Sequence, residues 1–156
     1  MSIDHVRDYL IPLGLADRMR EFDVSSATVP LAALALGTQE ARIAKTLSFR
    51  RADGGAMLIV LAGDARLDNP KYKAAFHTKA KMLSPEEAQA ETGFAVGGVC
   101  PFGVPHGVHV YLDESLKRFD TVFPACGSAS SAIELTPEEL ERASGGTWVD
   151  VGKLAE

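Results

Sequence analysis

Two stretches of the chain put reactive residue types where a ligand could meet them. In Arg42-Ile43-Ala44-Lys45-Thr46-Leu47-Ser48-Phe49 one lysine interrupts a strand-like apolar run. A lysine in that setting must reach out to water, meet an anion, or take part in chemistry. The second stretch is Thr92-Gly93-Phe94-Ala95-Val96-Gly97-Gly98-Val99-Cys100-Pro101-Phe102-Gly103. Its glycines and Pro101 suit neither a helix nor a continuous strand. Gly97 and Gly98 have no Cβ to block approach, and Pro101 fixes φ, so a stiff loop with bare amides and carbonyls is predicted. Together the two stretches point to a small pocket for a polar ligand, anionic or ester-bearing.

Other constellations compete for the chemistry. Cys100 with His106 or His109 could be a thiol nucleophile with its base, although no helix start or orienting third group is evident beside Cys100. The same residues with Cys126 could ligate a metal, but their spacing matches none of the usual zinc signatures. Gly97-Gly98 lacks the remaining glycine and the following helix of a dinucleotide fingerprint. No Ser-His-Asp set carries a nucleophile elbow. His5 and His77 fall on probable helices, where solvated or capping roles suffice. The chain thus offers no obvious side-chain nucleophile, general base, metal or cofactor site.

These residues must be held by short alternating elements. Ser2 is placed to cap a helix through about Leu10, with Gly14 near its end. Phe22–Val24 reads as a short strand. Thr28 caps a helix over Val29–Leu36 that Gly37 stops. Ile43–Arg50 and Ala56–Leu61 are strands joined by the turn Ala52-Asp53-Gly54-Gly55. A helix over Pro70–Phe76 and a brief strand at Lys81–Leu83 precede Ser84-Pro85-Glu86-Glu87, a capping box opening a helix to about Glu91. Strands are expected near Val108–Leu112, Thr121–Ala125 and Ser131–Leu135. Thr136-Pro137-Glu138-Glu139 then repeats the capping chemistry for a helix to Ala143, followed by a strand at Trp148–Val151. Hairpin-length links between several strands predict an α/β domain with a mixed, largely antiparallel, curved sheet and flanking helices, not a doubly wound parallel one.

Composition agrees with one globular domain over residues 1–156, 46% hydrophobic, long enough to bury a core. No run approaches the roughly 18 apolar residues of a membrane span. The polar start, Met1 to Asp8, gives no sign of a signal peptide, and two cysteines make no disulfide framework, so a cytoplasmic protein with reduced thiols is expected. The net charge is −5, yet residues 42–81 hold nine basic side chains against three acidic ones. That basic third is either a solvated face or a local site for a polyanion.

At this point the residues resemble a known family. Ala44-Lys45-Thr46-Leu47 and the loop Thr92–Gly103 are similar to the two signature segments of the YbaK/prolyl-tRNA synthetase-associated editing domain family. Gly127-Ser128, followed by Ile133-Glu134-Leu135-Thr136-Pro137-Glu138-Glu139-Leu140, resembles its closing strand and helix. The segments occur in the family's order and spacing over nearly the whole chain. Two positions depart from the pattern: Ala132 stands where several members have an aspartate, and Cys100 where serine is common.

The resemblance implies a free-standing aminoacyl-tRNA deacylase that hydrolyses the ester of a mischarged amino acid, most often on tRNA for proline or cysteine, without a cofactor. In such a site, Lys45 would hold the ester-ribose-phosphate end as a point charge. The loop from Gly97 to Pro101, with Gly98, Val99 and Cys100, would present main-chain groups to the aminoacyl carbonyl and amine. Thr28 and Leu31 would shape the side-chain pocket, and Gly127 and Ser128 would close the adenosine end. The implied partners are the acceptor end of an aminoacyl-tRNA and a prolyl-tRNA synthetase; no membrane or DNA partner is expected. A small acid such as alanine on tRNA for proline is the expected substrate. The alternative is a non-catalytic module that binds an aminoacyl end or a nucleotide, and a cysteine-dependent hydrolase is a third reading.

Overall fold

Four helices start on a side chain that accepts an amide proton from the first turn, the arrangement that satisfies otherwise orphaned helix donors. Thr28 does this for α2 (Val29–Leu36), Asp68 for α3 (Asn69–Phe76), Ser84 for α4 (Pro85–Thr92) and Thr136 for α5 (Pro137–Ser144). The last two are full capping boxes closed by Glu87 and Glu139. The first helix, α1 (Ile3–Leu10), has Ser2 at its cap position but no side-chain capping bond. The computed structural model describes residues 2–95 and 97–154. Met1 of the polar start and Val96 of the glycine loop therefore lie outside the described residues.

The strands are β1 (Met19–Glu21), β2 (Ile43–Arg50), β3 (Ala56–Ala62), β4 (Ala65–Leu67), β5 (His109–Asp113), β6 (Phe123–Pro124), β7 (Ser131–Ile133), β8 (Thr147–Val149) and β9 (Gly152–Leu154). Five of them form the main sheet in the order β6-β2-β3-β5-β8; β1 pairs with β7 and β4 with β9. Every residue of β3 is buried, as its unbroken run Ala56-Met57-Leu58-Ile59-Val60-Leu61-Ala62 requires of a strand covered on both faces. The core forms around it, with Val6, Leu10, Phe94, Phe102 and Leu140 among its members.

The α/β class and mixed sheet agree with the sequence expectation. The antiparallel part is narrower in the main sheet than hairpin-length links suggested: only β2–β3 is antiparallel, whereas β2–β6, β3–β5 and β5–β8 are parallel. The cause is connectivity, because long excursions carrying helices separate those neighbours and return the chain in the same direction. The expected strand at Phe22–Val24 is displaced to Met19–Glu21, where Arg20 faces Ala132 across the β1–β7 ladder. Lys81–Leu83 is reduced to an isolated bridge, Phe49 to Met82. The expected Trp148–Val151 strand begins at Thr147 and is followed by β9, tied down by Asp113: its carboxylate accepts from the Val151 and Gly152 amides at 2.8 and 2.9 Å.

Candidate active site

The site originates in a gap along one edge of β2. β6 covers that edge only at Ile43 and Ala44. Further along, the Arg50 amide donates to the Lys81 carbonyl at 2.8 Å and the Leu83 amide to the Ser48 carbonyl at 3.1 Å. Between these two attachments, Lys45, Thr46 and Leu47 have no ladder partner on that side among the described residues. Alternation along the strand sends the main-chain polar groups of Ser48 and Arg50 to this edge, and so those of Thr46 as well.

A cavity of about 450 Å³ opens at the gap, within the usual range for small-molecule sites. Lys45, Thr28, Gly97 and Val99 line it together, with Val29 and Ala32 of α2, Met82 to Pro85, Ala88 of α4, and Ala132. A hollow of about 510 Å³ beside His106 and His109 is slightly larger. Its two histidines are exposed, so it offers neither a desolvated charge nor a walled chamber, and the smaller cavity is the better candidate.

Lys45 is half-buried, and its ammonium has no ion pair or hydrogen bond among the described residues. Burial pushes its ammonium below the usual lysine range, and the Asp64 carboxylate only partly opposes this. Asp64 is itself engaged: Arg118 donates to both its oxygens, at 3.0 and 2.6 Å, and that bond holds its carboxyl below the usual range. Lys45 is thus a desolvated cation without a dedicated counterion, the state expected of a group reserved for a ligand's charge.

The glycine loop is fixed from behind. Thr92 Oγ1 donates to the Ala88 carbonyl at 2.7 Å and accepts from the Phe94 amide at 3.2 Å, while Phe94 and Phe102 are fully buried. Gly97 has φ +82°, a conformation side chains rarely adopt, and a Cβ there would sit 2.8 Å from that of Ala27. At Gly98 a Cβ would come within 2.9 Å of the Gly127 carbonyl carbon and oxygen and 3.0 Å of Ser128 Cα. The two glycine loops therefore touch backbone to backbone. Ser128 stiffens the second by donating to Ser131 Oγ at 2.9 Å and accepting from the Ser130 amide at 3.3 Å.

The structure accordingly divides the sequence-derived residues. Lys45, Thr28, Gly97 and Val99 meet at the cavity, and Gly98, Gly127 and Ser128 form the backing behind the loop. Pro101 and Cys100 are buried and do not line the cavity. Leu31 is 43% exposed and also outside the lining, since α2 turns Val29 and Ala32 to the cavity instead. Sequence reasoning passed over Thr46, Ser26, Ser131 and the Met82–Pro85 lip. Of these, only the capping box at Ser84 had a local signal.

The cysteine reading loses its physical basis. The Cys100 thiol is fully buried and desolvation pushes it up to about 12, so it stays protonated and unreactive at neutral pH. Cys126 is buried and raised as well. A cysteine-dependent hydrolase would require Cys100→Ser to abolish activity; the substitution is expected to be tolerated, and a complete loss with the fold retained would restore the thiol mechanism. Among the described residues no three His, Cys, Asp or Glu side chains gather as metal ligands, and no helix is long and apolar enough to cross a membrane.

Comparison with known proteins places this geometry. The family model for the aminoacyl-tRNA editing domain matches residues 24–143. YwhH, an uncharacterized protein of Bacillus subtilis (strain 168), is 53% identical over 154 residues, 98% of each chain. EbsC of Enterococcus faecalis (strain ATCC 700802 / V583), named as a candidate Cys-tRNA(Pro)/Cys-tRNA(Cys) deacylase, is 30% identical over 117 residues, 74% of this chain and 71% of that protein. A crystal structure described as a candidate trans-editing enzyme for prolyl tRNA synthetase superposes with a TM-score of 0.87 at 32% identity, covering 97% of this chain and 96% of that one.

Proposed function

Since the chain belongs to the aminoacyl-tRNA editing domain family, we propose that it is a trans-acting deacylase, one editing domain over its whole length, that hydrolyses the ester of a small amino acid mischarged onto a tRNA. The leading substrate is alanine or a similar small acid on tRNA for proline. The observation that carries this reading is the half-buried Lys45, without a dedicated counterion, in the same cavity as Gly97 and Val99 of the glycine loop. A synthetase separates acids differing by about one methylene only about 10–200-fold, so a second sieve must remove the errors. An aminoacyl ester is an easy bond to break, and orienting it against a water can supply much of the rate.

Lys45 acts in this scheme as a fixed positive charge on the ester-ribose end. The Gly97 and Val99 amides answer the charge that develops on the carbonyl oxygen, as an oxyanion hole does, while the Gly98 amide is held by the Ala95 carbonyl at 3.0 Å and stiffens the loop. Val29, Ala32, Val99 and Ala132 give part of the wall an apolar surface, which suits a short aliphatic side chain. Ala132 in place of a carboxylate keeps that wall uncharged. The protein works on released tRNA or docked on a prolyl-tRNA synthetase.

The test is a panel of proline, cysteine and alanine acceptors, each charged with several amino acids. Fastest release is expected from alanine on tRNA for proline. Turnover of no mischarged tRNA overturns the reading and leaves a non-catalytic binding module.

A further inference from the structure

The basic third of the sequence divides into engaged and free cations. Arg42, Arg50, Arg51 and Lys71 are ion-paired with acidic side chains, and Lys45 lines the cavity. Arg66, Lys73, Lys79 and Lys81 are exposed, and their side chains have no ion pair or hydrogen bond among the described residues. Residues 69–85 hold four lysines and no acid. Before this stretch Asp68 is engaged as the α3 cap, and after it Glu86 opens the acidic first turn of α4.

Position joins the free cations to the active site. Lys81 directly precedes Met82 of the cavity lip, and its carbonyl is pinned by the Arg50 amide at 2.8 Å. Two residues back, Lys79 borders a hollow of about 510 Å³ together with Lys73, Asn69 and Pro70. The first turn of α3 also adjoins β9: the Asp68 amide donates to the Val151 carbonyl at 2.7 Å, and Lys71 Nζ to the Gly152 carbonyl at 2.9 Å. There Lys153 stands directly opposite Arg66 in the β4–β9 ladder, and both are exposed. Like charges so placed repel, and an anion lying across them would relieve the cost.

Free cations that begin at the cavity lip and continue across α3 suit a ligand with many anions, not one. A cavity of about 450 Å³ has room for an acylated terminal nucleoside, so the rest of a tRNA must lie outside it. Phosphates give that remainder a regular charge that lysines and arginines neutralise without reading sequence, and such contacts fix register and orientation. Helical RNA is recognised largely in this way.

We propose that the ribose-phosphate backbone of the tRNA acceptor stem crosses the protein over Lys81, Lys79 and Lys73 toward Arg66 and Lys153, and so aims the acylated end into the Lys45 cavity. This rests on the deacylase reading, and it adds the surface that holds the rest of the substrate.

The experiment compares two variants, Lys73→Gln/Lys79→Gln/Lys81→Gln and Arg66→Gln/Lys153→Gln, with wild type. Lys117→Gln is the control, since Lys117 lies over Trp148 of β8, at the other end of the main sheet. Binding of uncharged tRNA for proline, or whichever acceptor the panel identifies, is measured across a salt series. Each lysine or arginine on a phosphate should contribute about one unit of the salt slope, so the slope should fall by about three and about two. Affinity near 0.1 M salt should drop roughly 10-fold or more in the triple variant. The KM for mischarged tRNA should rise with kcat little changed, while hydrolysis of the same amino acid esterified to adenosine alone should stay within about twofold. Melting temperatures should not fall, because no internal partner is lost. A loss of tRNA affinity in either variant no larger than in Lys117→Gln overturns the proposed path, as does equal slowing of the adenosine ester; the deacylase reading then stands. Unchanged tRNA binding with weakened binding to a prolyl-tRNA synthetase also overturns it and gives the surface to a protein partner. A wild type that binds tRNA through these cations yet hydrolyses no ester overturns the deacylase reading and leaves the path.

Discussion

Lys45→Ala is expected to lower deacylation of the preferred mischarged tRNA by roughly 100-fold or more, the scale seen when one preorganised electrostatic contact to a reacting group is removed. The melting temperature should not fall. The Lys45 side chain makes no ion pair or hydrogen bond among the described residues, and its ammonium is held against a desolvation penalty that alanine does not carry. Loss of activity without loss of stability separates a working charge from an edge-strand lysine that only discourages aggregation.

The sign of the pH dependence follows. Burial lowers the Lys45 pKa, so its ammonium is lost as pH rises through a value below that of an exposed lysine. Enzymatic turnover, corrected for spontaneous ester hydrolysis, should fall on that alkaline arm. Stability moves oppositely: between the lowered folded value and the ordinary unfolded one, the unfolded chain binds more protons, so this contribution to stability increases with pH. Lys45→Arg keeps the charge but replaces a compact ammonium by a planar fork. Any residual activity it shows should lack the alkaline arm. Steady-state rates of the three proteins across the pH range check all of this, and unchanged rates in Lys45→Ala would remove Lys45 from the reaction.

What the sequence could reveal here was local. Lys45 is conspicuous because its neighbours are apolar, and the loop because its glycines and Pro101 sit together; both signals lie within a few residues. The capped helices were legible for the same reason, since a cap and its box span one turn. The cavity was not. It exists because β6 releases the β2 edge after Ala44 while the segment around Met82 takes it up again near Ser48, and both are pairings between distant parts of the chain. Leu31 shows the complementary difficulty: α2 is apolar around most of its circumference, so periodicity could not say which side faces the cavity. The short strands β4 and β9 depend on each other's register across the fold, and three residues are too few to show a period.

Gly98→Ala should produce the second large effect, through position instead of charge. Gly98 is not in the left-handed region, so alanine's backbone preference is not the obstacle. The obstacle is contact: the new methyl meets the Gly127 carbonyl and Ser128 Cα at 3.0 Å or less, and backbone held by the Ser128–Ser131 bonds cannot swing aside as a flexible side chain would. The two loops must part. Overpacking of this kind costs about 1–3 kcal/mol, which for a chain of this size lowers the melting temperature by about 2–12 °C. A displacement near 1 Å at a positioning element costs about 100-fold in rate, so turnover should drop far more than stability does. Gly107→Ala provides the contrast. Its φ of +93° makes alanine strained, yet nothing lies within 4 Å of the added carbon, and it is outside the Lys45 cavity. That variant should lose some stability and keep its activity. If Gly98→Ala instead turns over substrate at the wild-type rate, the loop main chain does not set the reaction geometry, and the charge of Lys45 must act alone.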